Sequence, residues 1–328
     1  MTVYFKLVRI QNLLLIAFTQ FVMHKVMLVP ILQTFGFDVA LGNNMLGLLI
    51  AATVLIAAGG YTLNDYFDTK IDRINKPDRL IVGNIISRSK AMLLHQVLTG
   101  IGVVCGLLLS YFAQSITLAF IFFVVPGLLW FYSASYKRQF MIGNLVVAFN
   151  AALCILVVGI TQLAFLHNEF GDLIFETPIP KQIYAWIGGF SIFSFLVTWI
   201  REIIKDMEDE KGDREMECHT LPIVWGQKKT KWFLYGLILI VILSLLSANT
   251  FFIKFEGTLT IRYIIFGIFM PLIALLYLIF NAKTPIDFHQ ASTLTKVIML
   301  IGIMYSFVFY YLQAKTYGIS LFNLFILK

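Results

Sequence analysis

Long apolar runs, each closed by a short polar cluster, recur along all 328 residues. They begin near residues 10, 44, 91, 114, 142, 183, 232, 261 and 292. Each is long enough to supply the roughly 20 apolar residues that cross a hydrocarbon core as a helix. The pattern predicts an all-α, polytopic membrane bundle of about nine transmembrane helices in a single domain spanning residues 1–328. No linker longer than a loop divides it. The first run lacks a small-residue cleavage site and reads as a retained helix.

Composition agrees: 59% of residues are hydrophobic and 13% charged, against about a quarter charged in a soluble domain. With the N-terminus placed in the cytoplasm, nineteen of the 25 basic residues fall on the inner side. That bias is the one expected of a membrane protein. It accounts for the net charge of +7 by topology, so nucleic acid is not an expected partner. The three cysteines share no ligand or redox spacing and support neither a disulfide framework nor a zinc site.

The acids break the pattern. Twelve of 18 lie in two windows, "NDYFDTKIDRINKPDR" at 64–79 and "REIIKDMEDEKGD" at 201–213 with the residues just after it. Both windows close a predicted span on the cytoplasmic side. At about 100° per residue, Asn64, Asp68 and Asp72 share one helix face, and Asp206, Asp209 and Asp213 fall within an arc of about 60°, joined by Glu202. Like charges at this spacing repel, and a bridging cation removes the penalty. Oxygen donors without His or Cys select a hard ion such as Mg²⁺, which completes its shell with water and phosphate. Two such stripes facing each other predict a diphosphate held between metal ions. Lys76 and Arg79 beside the first stripe, with Arg201 and Lys205 beside the second, carry charge suited to phosphate. A single acidic cluster reads equally well as a solvated helix end; two clusters in helical phase do not.

At these residues the chain resembles the UbiA superfamily of intramembrane prenyltransferases. The NDxxDxxxD signature is matched by Asn64, Asp65, Asp68 and Asp72, NxPxR by Asn75, Pro77 and Arg79, and DxxxD by Asp209 and Asp213. Arg9 and Asn12 look like the family's entry to helix one, and Tyr132, Ser133 and Lys137 resemble the segment closing helix four. The resemblance implies nine helices around a central apolar cavity opening sideways to lipid. It also implies Mg²⁺-dependent transfer of an isoprenyl chain from a diphosphate donor to a lipophilic acceptor. By carry-over, Asp68, Asp72, Asp209 and Asp213 are catalytic, and these four with Asn64 and Asp206 bind metal. Arg9, Asn12, Lys76, Arg79, Tyr132, Lys137, Arg201 and Lys205 contact substrate.

"REIIKDMEDEKGD" followed by "TLPI" looks like the digeranylgeranylglyceryl phosphate synthases and their bacterial relatives, so the expected acceptor is geranylgeranylglyceryl phosphate or a similar glycerol phosphate. An aromatic quinone precursor, of 4-hydroxybenzoate or dihydroxynaphthoate type, is the alternative acceptor. Two departures from the relatives stand out: Glu217 where a glycine is usual before TLPI, and "LIVGN" at 80–84 in place of a proline-rich run. A cation-coupled transporter is the distant alternative, and it predicts acids near mid-membrane rather than at helix ends. His24 and Lys25, inside the first span, are candidates to meet a substrate phosphate or an acceptor acid, or Lys25 snorkels. Asp287 and His289 read as a solvated loop. A multi-pass protein of a prokaryotic plasma membrane, active toward the cytoplasm and in contact with membrane lipid, is the expected setting.

Overall fold

A computed structural model describes residues 2–37, 40–75, 80–322 and 325–326. Among them run α1 (Thr2–Leu7), α2 (Ile10–Thr34), α3 (Asn43–Asn75), α4 (Arg88–Phe112), α5 (Ile116–Ala134), α6 (Ile142–Phe170), α7 (Ile179–Glu208), α8 (Glu210–Glu215), α9 (Leu221–Phe252), α10 (Leu259–Asn281) and α11 (Pro285–Tyr317). Nine of these are long and apolar enough to cross a membrane. A two-residue antiparallel ladder, Ser320–Leu321 with Phe325–Ile326, follows the last helix.

Two helices begin earlier than hydropathy predicts. α9 starts with a short turn at Leu221, with proline at its head, breaks at Gly226 (φ 76°, ψ 161°), and resumes through the polar "QKKTK" that hydropathy discounts, ahead of the start near 232 that hydropathy predicts. α11 starts at Pro285 rather than near 292. There Thr284 caps the helix and Asp287 returns the bond to the Thr284 backbone, a reciprocal box that fixes the helix start in polar sequence. Asp287 and His289 are therefore helical, not a loop.

The bundle is organised by α3 against α4, α6 against α7, and α7 against α11. Helices in lipid lack a hydrophobic drive to associate, so close backbone approach matters more. Gly59 shows it: a β-carbon there would stand 2.1 Å from the Thr99 hydroxyl oxygen and 3.3 Å from the His95 carbonyl. The His95 ring bonds the Gly59 carbonyl at 3.0 Å, tying α4 to α3 just before the first acidic stripe. One apolar core joins α2, α3, α6, α7 and α11, and a second joins α7, α9, α10 and α11. α7 and α11 belong to both, so the helix carrying the second stripe is anchored in each core.

His24 and Lys25 fall in a π-helical stretch of α2, Met23–Leu28. Lys25 donates to the Asn43 side chain at 2.6 Å, at the far end of α3. Asn43 and Asn64 are separated by about 30 Å of helix at 1.5 Å per residue. His24 and Lys25 thus lie in the half of the bundle opposite the acidic stripes, away from a phosphate held there. The "LIVGN" departure builds a compact turn in which Gly83 donates to Ile86 at 2.8 Å, and Val82 and Ile86 bury themselves with Leu7 of α1.

Candidate active site

The first stripe sits on the last turns of α3. Asp68 is buried; its Oδ2 accepts from the Asn64 amide at 2.7 Å, and its Oδ1 is paired with the Lys137 ammonium. Asp65 points to another side, where Arg9 donates to it at 2.9 Å while the guanidinium lies 4.9 Å from the Tyr61 ring centre. Asn12 flanks the Tyr61 hydroxyl. Burial works against the Arg9 charge, but Asp65 and Tyr61 outweigh it, so the guanidinium is held above its ordinary value.

The second stripe straddles a break. α7 ends at Glu208, Asp209 takes φ −95°, ψ 5°, and α8 resumes at Glu210. The uninterrupted helical arc expected for Asp206, Asp209 and Asp213 is thus bent at its middle member, although the Asp213 amide still reaches the Asp209 carbonyl at 3.2 Å. Asp206 accepts from the Asn144 amide at 2.9 Å. Helix α8 packs directly against α3, so the two stripes share one end of the bundle.

Lys137 links them. It occupies the short turn Tyr136–Arg138 after α5, pairs with Asp68, and lies within electrostatic reach of Asp213. Desolvation is the largest influence on its ammonium and pushes it down to about 8, with Asp213 acting in the opposite sense. The turn is clamped on two sides. The His219 amide donates to the Arg138 carbonyl at 2.8 Å, and a β-carbon on Gly143 would stand 2.7 Å from the Lys137 α-carbon. Gly143→Ala is therefore expected to push this turn outward and lower kcat about tenfold without loss of helicity; unchanged kcat would show that the turn yields freely. Tyr132, one turn earlier, faces Arg9, Glu202, Asp206 and Asp213.

Glu217 holds φ +55°, a left-handed conformation that suits glycine. The strain costs about 1 kcal/mol in a residue with a β-carbon. Glu217→Gly is expected to raise the melting midpoint in detergent by about 2 °C and Glu217→Val to lower it; equal midpoints would remove the strain argument.

Arg201 and Lys205, expected to carry charge for phosphate, both pair with the buried Glu202, at 2.6 and 2.9 Å. Lys76 and Arg79 lie outside the described residues, as does Pro77. Sequence reasoning missed Asn144; its only signal was an amide one helix away from the acids.

The residues suit a hard divalent ion bound jointly with phosphate. The Asn64 Oδ1 is buried without a partner, and the side chains of both stripes offer oxygen. Among the described residues no three acidic, His or Cys side chains converge closely enough to hold an ion alone. This matches an ion that takes one or two protein oxygens and leaves its remaining positions to water and substrate.

A polytopic helical bundle with carboxylate stripes and a lysine gathered at one end defines a membrane enzyme built for phosphorylated substrates. Residues 34–287 match the family model described as the UbiA prenyltransferase family. The chain belongs to that family and is a multi-pass membrane prenyltransferase. The digeranylgeranylglyceryl phosphate synthase of Sulfurisphaera tokodaii is 33% identical over 277 residues, covering 83% of this chain and 85% of that one. A solved structure on digeranylgeranylglyceryl phosphate synthase in membranes is similar with a TM-score of 0.60 at 22% identity, covering 94% of this chain and 98% of the other. A UbiA homolog from Archaeoglobus fulgidus, solved with GPP and Mg²⁺, gives a TM-score of 0.54 at 15% identity, covering 93% of this chain and 99% of that one. The two structural likenesses are likenesses of fold.

Proposed function

We propose that this prenyltransferase moves an isoprenyl chain from a polyprenyl diphosphate to a prenylated glycerol phosphate, of which geranylgeranylglyceryl phosphate is the type. It acts at the cytoplasmic end of the bundle in a prokaryotic plasma membrane. The observation that carries the reading is Lys137 set against Asp68 and within reach of Asp213, which gathers both acidic stripes around one cation. The acceptor rests on the second motif and on the named activity of the Sulfurisphaera relative.

Asn64, Asp68, Asp72, Asp206, Asp209 and Asp213 would hold Mg²⁺, which when bound supplies positive charge to the departing diphosphate. Lys137 and Tyr132 orient the phosphate oxygens from the α5 side. Lys76 and Arg79, next in sequence to the first stripe, are assigned to the same diphosphate. The C1–O bond to diphosphate breaks as the acceptor hydroxyl oxygen bonds C1, and the hydroxyl proton passes to an oxygen of the departing diphosphate. An apolar surround keeps water from the electron-poor carbon until the acceptor takes it.

Membranes containing the protein, given labelled geranylgeranyl diphosphate and a panel of acceptors, are expected to form a diether phosphate from the glycerol phosphate. Prenylated 4-hydroxybenzoate or dihydroxynaphthoate as the sole product would overturn the acceptor. Strong chelation of Mg²⁺ is expected to stop turnover, and its survival would overturn the metal role.

A further inference from the structure

The charges on α7 and α11 are not balanced by the chemistry above. Glu208, at the end of α7, pairs with His289 near the start of α11 at 2.9 Å. The two helices run in opposite directions as spans six and nine of the bundle and pack on each other. Moving seven residues inward from each partner, Arg201 stands before Glu208 and Lys296 after His289. Seven residues are two turns, about 10 Å, and return each side chain to nearly the same face. Arg201 and Lys296 are therefore level with each other beneath the Glu208–His289 pair.

Electrostatics agree with that register. Arg201, Lys205, Arg9 and Glu202 are the charges within reach of Lys296. Arg9 is already neutralised by Asp65. What remains is Arg201, Lys205 and Lys296 around two carboxylates, Glu202 and Asp206, an excess of one positive charge. Glu202 is saturated by its two bonds, whereas the Arg201 Nε is buried with no partner. Lys296 is exposed on α11 and so open to a ligand, and charge on a membrane-spanning helix is costly unless a ligand or water meets it. A phosphate monoester, carrying about −1.5 to −2 at neutral pH, suits a cluster of three cations with a net positive charge. Arg201 lies about 12 Å and Lys205 about 6 Å along α7 from Asp209, so the cluster adjoins the inner end of the second stripe through Glu202 and Asp206.

We propose that Arg201, Lys205 and Lys296 form a second anion subsite that takes the phosphate monoester of the acceptor lipid, leaving the aspartate end to the donor. This deepens the proposed function and rests on its glycerol phosphate acceptor. It moves Arg201 and Lys205 from the diphosphate to the acceptor and adds Lys296, which sequence reading counted only as inner-side charge.

The test uses the full-length protein in nanodiscs as wild type, Lys296→Gln, Lys296→Arg and Asp68→Asn. With metal chelated and no donor, geranylgeranylglyceryl phosphate is expected to bind wild type and Asp68→Asn alike and Lys296→Gln at least tenfold more weakly, with Lys296→Arg restored. The phosphate-free prenylglycerol is expected to bind wild type and Lys296→Gln equally. In turnover, Lys296→Gln is expected to raise the acceptor KM tenfold with donor KM within twofold of wild type. Acceptor affinity indifferent to Lys296, or donor and acceptor KM rising together, would overturn the subsite. So would Lys296-dependent capture of an anionic bilayer lipid, seen on comparing phosphatidylglycerol with phosphatidylcholine discs, when the acceptor is unaffected. Failure of the proposed function shows separately: the wild-type protein would bind the monoester through Lys296 yet prenylate only an aromatic acceptor.

Discussion

Asp68→Asn is expected to reduce prenyl transfer by at least about a thousandfold, the scale on which removing a preorganised electrostatic group acts. The substitution keeps the shape and the Asn64 contact but deletes the carboxylate charge that Lys137 pairs with. Because Asp68 is buried, solvent cannot replace that charge. Product formation from a labelled polyprenyl diphosphate is the measurement, with helicity by circular dichroism as the control for folding. Turnover near the wild-type rate would remove Asp68 from the chemistry and with it the assignment of the first stripe.

Lys137→Gln should be nearly as severe, with kcat lower by about a hundredfold or more. An amide of similar length keeps a donor for Asp68 but no charge for a phosphate oxygen or for Asp213. Lys137→Arg restores the charge and should recover part of the rate; its bulk must still fit a turn that Gly143 approaches closely. If Lys137→Gln raised only the donor KM and left kcat intact, the lysine would be a binding contact rather than part of the transition-state environment.

Much of this architecture was legible in the sequence because the physics is local. Apolar length sets the spans, and helical phase places Asn64 and Asp68 side by side. Where chain segments meet from a distance, the pattern is silent. Lys137 carries no signal of its own beyond the family resemblance, since its position depends on Gly143 and on a backbone bond from His219. By contrast, the closure of Lys205 on Glu202 is an i,i+3 pair that helix spacing allows. Periodic arithmetic also assumes an unbroken helix, and the bend at Asp209 defeats it. The polar first turns of α9 and α11 were missed for a related reason: hydropathy registers the lipid-facing stretch, whereas a cap fixes where the helix starts.

The bond from the His219 amide to the Arg138 carbonyl has a consequence for biogenesis. A ribosome delivers Asp68 and Lys137 well before Asp209, Asp213 and His219 exist, and earlier segments of a chain tend to organise first. The nascent protein thus owns an internal counterion for its first carboxylate while the partner stripe is still being synthesised. Arrest of translation just beyond α5 should leave a half-protein whose acidic helix is already neutralised, and only arrival of the segment between the sixth and seventh spans locks the turn that carries the lysine.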